Sequence, residues 1–285
     1  LAADLMKGYR GAIVVMDAHT GELLVLYSSP SYDNNPLAWG VSPREWNALL
    51  NDHEKPMHDR SISGQYPPAS TFKALMGLAA LEEKETTTSL TVYCPWALTV
   101  GNRTFRCWKR SGHGTVNLLR ALQESCDVYF YQMGLKLGIS RILKWCSLFG
   151  LGSPTGIDLP GESGGVIAGP EWKRARFKES WYQGDTVNYS IGQGFLLTTP
   201  LQIARLYAVI ANGGRLVRPH LSTAAGVVAQ DLSLEKKNID VIRRGLDYVV
   251  RRGTGRQAGS FGITVAGKTG TAQNAHGDDH ALFAG

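Results

Sequence analysis

The sequence predicts an α+β fold in which the first and last strands meet in one sheet. Strand-like apolar patterns occupy both ends of the chain, and helical spacing of apolar residues fills much of the interval between them. There is no internal repeat or low-complexity tract. With 285 residues and 43% hydrophobic content, the chain can bury a full core, either as one large domain or as two lobes.

The individual elements follow from periodicity and turn signals. Residues 10–17 and 23–28 are strand patterns that "AHTGE" joins into a hairpin, whereas residues 32–60 are polar and irregular. A helix follows Ser70, and further helices are predicted at residues 118–137, 141–149, 200–212 and 238–251. Strands are predicted at residues 264–273 and 280–284.

Charge and hydropathy argue against a nucleic-acid-binding protein and against a membrane-spanning segment in this sequence. The net charge is +6 and the pI is about 9.1, but the cations are dispersed. We interpret the densest group as a solvated helix face rather than a nucleic-acid site; it consists of Arg243, Arg244, Arg251, Arg252 and Arg256. No apolar run reaches the length of a membrane span, and the first residues are not a signal peptide. Both ends look cut, so we expect a fragment of a longer protein.

The stretch "YPPASTFKALMGLAALEE" places Ser70 directly before an apolar helix and Lys73 three residues later. Most serines in this position are N-caps. A cap leaves Lys73 unexplained, because a lysine in the first turn faces the positive end of the helix dipole. Residues three apart share a helix face, and a lysine can take the proton of a serine nucleophile. Ser70 and Lys73 are therefore candidates for a serine–lysine nucleophile.

Two further motifs make this pair specific. "SCD" at residues 125–127 lies on a predicted helix, and "KTGT" at residues 268–271 lies on a predicted strand. Ser-X-X-Lys, a Ser-X-Asn element and Lys-Thr-Gly occur in this order in penicillin-binding proteins and β-lactamases. Each motif alone is weak, whereas three in the right order indicate a serine acyl-transfer site.

The chain resembles the serine penicillin-recognising transpeptidases over nearly its whole length. "SSPSYDNN", "TVNYSIGQGFLLTTPLQIARLYAVIANGG" and "GKTGTAQ" are similar to class B penicillin-binding proteins. "GESGGVIAGPEWKR" and "SGHGTVNLLRALQESCDVYFYQMG" are similar to the penicillin-binding protein 2 group, the cell-elongation transpeptidases. The resemblance implies a serine β-lactamase/transpeptidase-like fold over residues 1–285. That fold has an antiparallel sheet flanked by helices and an all-helical lobe, and we expect its C-terminal strand and helix to lie outside this chain.

The resemblance also implies a peptidoglycan D,D-transpeptidase that forms a serine acyl-enzyme. Ser70 attacks the carbonyl of the penultimate D-alanine of a stem peptide, and Lys73 is the base. Ser125 relays the proton toward the leaving group, and Asp127 orients nearby polar groups. Asp127 stands where most of the superfamily has asparagine, a departure similar to the elongation subgroup. Lys268 adds positive charge beside the base and attracts the substrate carboxylate.

The remaining site residues implied by the resemblance bind substrate. Thr269 and Thr271 bind the carboxylate through their hydroxyls, and Gly270 lets the substrate backbone approach the strand. The backbone N–H groups of Ser70 and Thr271 form the oxyanion hole. β-Lactam antibiotics are expected ligands, and no organic cofactor is implied.

Two alternatives share these motifs. A serine β-lactamase must deacylate quickly, and class A enzymes use a glutamate and a water for this step. Glu162, Glu171 and Glu179 are the candidates, and none is followed by the loop asparagine at the expected spacing. A β-lactam-sensing receptor would use the same serine only to signal and would need a transmembrane segment.

Four cysteines raise a separate question. An exported domain usually pairs its cysteines, and four could form two disulfides. Cys146 lies in the apolar stretch "RILKWCSLFG", where a buried free thiol is simpler, and three remain. Cys94, Cys107, His113 and Cys126 form a possible Cys₃His zinc set, although the spacings are looser than usual. Some members of the resembled group carry zinc at these positions, so one structural zinc is expected, with a disulfide or free thiols as alternatives.

Partners and location come only from the resemblance. It implies anchoring in the cytoplasmic membrane with the catalytic domain on the periplasmic side. It also implies a SEDS-family glycan polymerase and rod-complex scaffold proteins as partners, with no nucleic acid.

Overall fold

The structure is a computed structural model that describes residues 1–260, 262–274 and 277–285. Its helices are α1 (Ala2–Leu5), α2 (Asn35–Trp39), α3 (Pro43–Asn51), α4 (Lys73–Glu82), α5 (Leu118–Gln123), α6 (Asp127–Leu148), α7 (Pro170–Phe177), α8 (Gln183–Tyr189), α9 (Pro200–Asn212) and α10 (Lys236–Arg252). Its strands are β1 (Gly11–Met16), β2 (Leu23–Ser29), β3 (Thr91–Cys94), β4 (Ala97–Val100), β5 (Arg103–Arg106), β6 (Gly114–Asn117), β7 (Val166–Ile167), β8 (Leu196–Leu197), β9 (Arg215–Val217), β10 (Ala229–Asp231), β11 (Lys268–Ala272) and β12 (His280–Ala284). The α+β class is confirmed.

The strands form antiparallel two-stranded ladders. β1 pairs with β2 and β11 with β12, as the sequence pattern places them, and β3–β6, β4–β5, β7–β8 and β9–β10 are further pairs. The prediction that the first and last strands meet in one sheet is wrong for the described residues, because the β1–β2 and β11–β12 hairpins belong to separate sheets. The alternation of apolar residues reports which face of a strand is buried, but it does not report which strand is the partner.

A helical core carries the active-site side chains. α4 is buried from Lys73 to Leu81, and it packs between α6 and α10. Each large apolar side chain that is fully buried contributes roughly 1.5–3 kcal/mol, which favours a fixed position for this helix. Gly134 permits the close crossing of α6 and α8, since a Cβ there would lie too close to Ser190.

One predicted helix differs from the structure. Residues 118–137 are not continuous, because α5 ends at Gln123 and α6 begins at Asp127. The predicted helix at residues 141–149 is confirmed as the second part of α6, which ends at Leu148, because Gly138 breaks the helical geometry between the two parts with φ 71° and ψ 158°. This backbone conformation is accessible to glycine and costly for other residues.

Residues 32–60 were expected to be irregular and instead contain α2 and α3. The signal for α3 is a capping box, in which Ser42 accepts from the Glu45 N–H and Glu45 accepts from the Ser42 N–H. Pro43 occupies the first helical position, where its missing N–H has no cost. Among the described residues, none of the helices is both long and apolar enough to span a membrane.

Candidate active site and cysteine cluster

Ser70 lies in a tight 3-10 turn, Ala69–Phe72, that leads directly into α4. The predicted position at the start of the helix is confirmed. Neither the turn nor α4 is capped by a side chain, so the Ser70 hydroxyl does not serve as an N-cap. The Ala69 N–H donates to the Gly192 carbonyl over 2.9 Å. Gly192 has φ +74° and lies against the Ala69 backbone, so only glycine fits there.

Lys73 connects the nucleophile helix to the second motif. Its side chain is completely buried, and Nζ donates to the Ser125 carbonyl over 3.0 Å and to Ser125 Oγ over 3.1 Å. The third partner is Asp127 Oδ1, at 2.6 Å. The structure thus brings Lys73, Ser125 and Asp127 into one hydrogen-bonded group, as a base with a proton relay requires.

Ser125 lies in the turn between α5 and α6 rather than on a helix as predicted. The turn places Ser125 at φ +54°, which ends α5 and aims its hydroxyl at Lys73. Asp127 is the first residue of α6 and is 9% exposed. Burial raises the pKa of the Asp127 carboxyl, and the Lys73 ammonium opposes that shift.

Lys268 supplies a second buried cation. It begins β11, and its Nζ donates to the Thr269 carbonyl over 3.0 Å. Burial lowers the pKa of Lys268 well below its usual range, the positive charge of Lys73 lowers it further, and Asp127 opposes both. Lys73 therefore pairs with the Asp127 carboxylate at 2.6 Å, whereas Lys268 has no carboxylate partner among the described residues.

The Lys-Thr-Gly strand lies directly against the Ser70 turn. A Cβ on Gly270 would be 3.2 Å from Thr71 Cγ2 and 3.4 Å from the Ser70 nitrogen. This contact brings the backbone of β11 beside the Ser70 N–H, as the predicted oxyanion hole needs. The Thr271 side chain is exposed, as a substrate-binding residue should be.

Thr269 has an additional partner that the sequence did not indicate. Its Oγ1 lies 2.7 Å from Thr254 Oγ1, so a second threonine fixes this hydroxyl. Gln193 also approaches the strand, since its Nε2 donates to the Thr271 carbonyl over 3.4 Å. The signal for Gln193 was the "IGQG" segment, whereas nothing near Thr254 pointed to the site.

The four predicted metal ligands converge beside the second motif. Cys94 ends β3, Cys107 follows β5, His113 precedes β6, and Cys126 precedes α6. Their ligand atoms all lie within 4.8 Å of one another, and all four residues are buried. His113 Nδ1 lies 3.4 Å from Cys107 Sγ and 3.6 Å from Cys94 Sγ.

The chemistry of this cluster fits a structural zinc ion. All four cysteines of the chain are free thiols, and Cys146 is buried in α6 as predicted. A hydrogen bond from Cys126 lowers the pKa of Cys107, and the reverse contact with burial raises the pKa of Cys126. Three soft sulfur donors and one imidazole nitrogen are a set that tetrahedral zinc prefers.

Trp108 joins the cysteine cluster to the catalytic group, and the motifs did not reveal it. The Trp108 N–H donates to Asp127 Oδ2 over 3.1 Å, and its indole N–H donates to the Glu124 carbonyl over 3.0 Å. The Asp127 N–H donates to Cys107 Sγ over 3.3 Å. The loop that carries Cys107 therefore holds both the backbone and the carboxylate of Asp127.

Ser70 before a buried Lys73 that is bonded to Ser125, beside a Lys-Thr-Gly strand, is the arrangement of motifs found in the penicillin-recognising serine acyltransferases. The chain belongs to the family of the penicillin binding protein transpeptidase domain, whose sequence profile matches residues 11–285.

Named relatives agree with this family. The chain is 40% identical over 286 residues to the peptidoglycan D,D-transpeptidase MrdA of Haemophilus influenzae, an alignment that covers 95% of this chain and 44% of that protein. The chain thus spans less than half the length of this curated relative.

Solved structures are similar as well. A complex of penicillin-binding protein PBP2 with MreC from Helicobacter pylori superposes with a TM-score of 0.94 at 39% identity, over 99% of this chain and 54% of that one. A chain from a structure described as "Structural coordination of polymerization and crosslinking by a peptidoglycan synthase complex" gives a TM-score of 0.86 at 34% identity, over 96% of this chain and 49% of that one.

Proposed function

We propose that the protein is a peptidoglycan D,D-transpeptidase of cell-wall elongation, acting through a Ser70 acyl-enzyme. The observation that carries this proposal is the bonding of Lys73 to Ser125 and Asp127, one turn from Ser70. It is supported by the family of the chain and by the name of its relative.

The reaction follows from the groups in the site. Ser70 Oγ attacks the carbonyl carbon of the penultimate D-alanine, and Lys73, as the base, takes its proton. The tetrahedral oxyanion is held by the N–H groups of Ser70 and Thr271. The C–N bond then breaks, and Ser125 passes a proton from Lys73 to the departing D-alanine. The amine of an acceptor stem attacks the ester, which restores the Ser70 hydroxyl.

None of the candidate glutamates is placed to activate a water for fast hydrolysis of the acyl-enzyme in the described part of the chain. Glu162 accepts from the Thr155 and Gly156 N–H groups, and Glu179 pairs with Lys173 at 3.5 Å. Glu171 lies in the first turn of α7. None has a hydrogen bond or ion pair with Ser70, Lys73 or Ser125 in the described part of the chain. The acyl-enzyme is thus expected to wait for an acceptor amine.

The test is a crosslinking assay with donor and acceptor stem peptides and purified protein. We expect crosslinked product from the wild type and none from Ser70→Ala, with penicillin retained on Ser70 far longer than one turnover. Rapid hydrolysis of penicillin would support a β-lactamase instead. Acylation by penicillin without any transfer would support a sensor.

We also propose that Cys94, Cys107, His113 and Cys126 hold one zinc ion. Zinc with four protein ligands has no open position for water, so its chemistry is to fix the loop and not to activate substrate. Through Cys107, this would fix the contacts that hold Asp127 in place.

Elemental analysis of protein purified without added metal tests the zinc proposal. We expect about one zinc per chain and its loss in Cys107→Ser. Cys146→Ser is the matched control, because it removes a buried thiol outside the cluster. A Cys94–Cys107 disulfide in metal-free, fully active protein would contradict the proposal.

For the whole protein we propose the outer face of the cytoplasmic membrane as its location, with a glycan polymerase and a scaffold protein as partners. The supporting observations are the similarity to a PBP2 solved with MreC and to a chain of a peptidoglycan synthase complex. Co-purification of the full-length protein with a SEDS-family polymerase from membranes tests this. Recovery of the full-length protein in the cytosol would contradict it.

A further inference from the structure

A long stretch of the chain before the second motif contains no acidic residue. Residues 86–123 have no aspartate or glutamate but carry five cations, Arg103, Arg106, Lys109, Arg110 and Arg120. Arg120 pairs with Glu124 at 2.7 Å. The other four form no ion pair with any carboxylate in residues 1–260, 262–274 and 277–285. We call Arg103, Arg106, Lys109 and Arg110 the basic rim.

Two arginines of the basic rim lie against aromatic rings. The Arg103 guanidinium lies 5.2 Å from the centre of the Phe105 ring, and that of Arg106 lies 5.5 Å from the centre of Trp96. Both arginines lie on β5 and are exposed. An arginine stacked on an aromatic ring loses less conformational freedom when it binds an anion, and its charge remains available.

The second half of the basic rim lies next in sequence to a residue that contacts Asp127. Lys109 and Arg110 directly follow Trp108, whose N–H holds the Asp127 carboxylate. Trp108 itself is 59% exposed, although its backbone is fixed by Asp127 and its indole N–H by the Glu124 carbonyl. A ligand that reaches Asp127 would therefore have Trp108 beside it, with Lys109 and Arg110 next along the chain.

We propose that the basic rim binds the carboxylates of a peptidoglycan stem peptide that lie away from its reacting D-alanine end. This inference rests on the proposed function. A stem peptide carries further carboxylates besides its terminal one, and Lys268 already serves the terminal one. Unpaired exposed cations next to the cleft provide complementary charge, which increases both affinity and the rate of association. The contact with the Asp127 wall favours a substrate over a remote anionic lipid surface.

The test measures peptide binding directly, in a Ser70→Ala background so that no turnover occurs. The probes are a stem pentapeptide with free side carboxylates and the same peptide with these amidated. The rim variant changes three arginines and one lysine to glutamine: Arg103→Gln, Arg106→Gln, Lys109→Gln and Arg110→Gln. The matched control changes exposed cations of α10 and the turn after it that likewise have no carboxylate partner: Lys236→Gln, Arg244→Gln, Arg252→Gln and Arg256→Gln.

We expect the rim variant to raise the Kd of the carboxylated peptide about 10-fold, because each exposed ion pair contributes modestly. The control variant should bind as the parent does, and the amidated peptide should not distinguish the three proteins. Acylation of the corresponding Ser70 proteins by a fluorescent penicillin reports correct folding of each variant.

Equal Kd values for the carboxylated peptide in all three proteins would overturn the inference. So would loss of binding to phosphatidylglycerol vesicles by the rim variant with peptide binding unchanged, which would assign the surface to lipid. Failure of the proposed transpeptidase function would give a different set of results from failure of the rim inference. Wild-type protein would then bind the stem through the rim and be acylated by penicillin, but would form no crosslinked peptide.

Discussion

Gly270→Ala tests whether the close contact between β11 and the Ser70 turn matters for acylation. The new Cβ would lie 3.2 Å from Thr71 Cγ2 and 3.4 Å from both the Pro68 carbonyl oxygen and the Ser70 nitrogen. Carbon atoms pack best at about 3.5–4.0 Å, so the strand or the turn must retreat by a few tenths of an ångström. Because both are buried against the core, that movement displaces the oxyanion hole.

The magnitude follows from two opposing terms. Overpacking costs typically about 1–3 kcal/mol, and replacing glycine by alanine in a strand recovers roughly 0.5–1 kcal/mol, so stability should fall by about 0–2.5 kcal/mol. Complete loss of one oxyanion-hole donor slows acyl transfer by about 10²–10³-fold. For a partial displacement we expect acylation by penicillin to slow by about 10–100-fold. Stopped-flow acylation and urea unfolding measure the two quantities.

Gly11→Ala is the matched control. Gly11 also lies in a strand, and its Cβ would also meet a neighbour at 3.2 Å, but that neighbour is the flexible end of Met6. Gly11→Ala should therefore acylate at the wild-type rate. If Gly270→Ala acylates as fast as Gly11→Ala, the argument that this contact sets the oxyanion hole is refuted.

Two further predictions concern the lysines. Lys73→Ala should lose penicillin labelling almost as completely as Ser70→Ala does, because base and nucleophile act as a unit, and the double variant should be no worse. Intact-mass analysis after penicillin treatment measures the labelling. Additive losses in the double variant would show that the two residues act independently. The pKa of Lys268 is depressed in the folded state, so between that pKa and the ordinary value of 10.5 the unfolded chain binds more protons. Stability should consequently rise with pH across this window in the wild type but not in Lys268→Met, as urea unfolding at a series of pH values would show. Parallel pH profiles for the two proteins would contradict a depressed pKa of Lys268.

The sequence predicted much of the fold where local signals are strong. The β1–β2 hairpin, α4, α9 and α10 have clear periodicity and clear ends, and the structure confirms them. α3 was missed even though Ser42 and Glu45 form a capping box, because its apolar residues are few and none is buried. The small strands β3 to β6 were missed because each has only four residues and is held by the fold around it.

Motifs in the sequence identify most of the candidate site residues, but they do not predict how these residues are arranged. The spacing of Ser70 and Lys73 indicated a shared face, yet the strongest partner of Lys73 is Asp127, which is distant in sequence. Trp108 and Thr254 could not be found from motifs, because one acts through its backbone N–H and the other through a threonine pair. Long-range contacts of this kind depend on tertiary packing, which no local pattern encodes.

The positive φ of Ser125 restricts which side chains can replace serine at this position. Serine and threonine carry the same hydroxyl, and a comparison of side-chain chemistry would treat them as equivalent here. At φ +54°, however, a β-branched residue is strained, at a cost of order 1–3 kcal/mol. A Ser125→Thr variant would therefore report on the shape of the backbone as much as on the hydroxyl, and lower activity in it would not by itself show a different role for the hydroxyl.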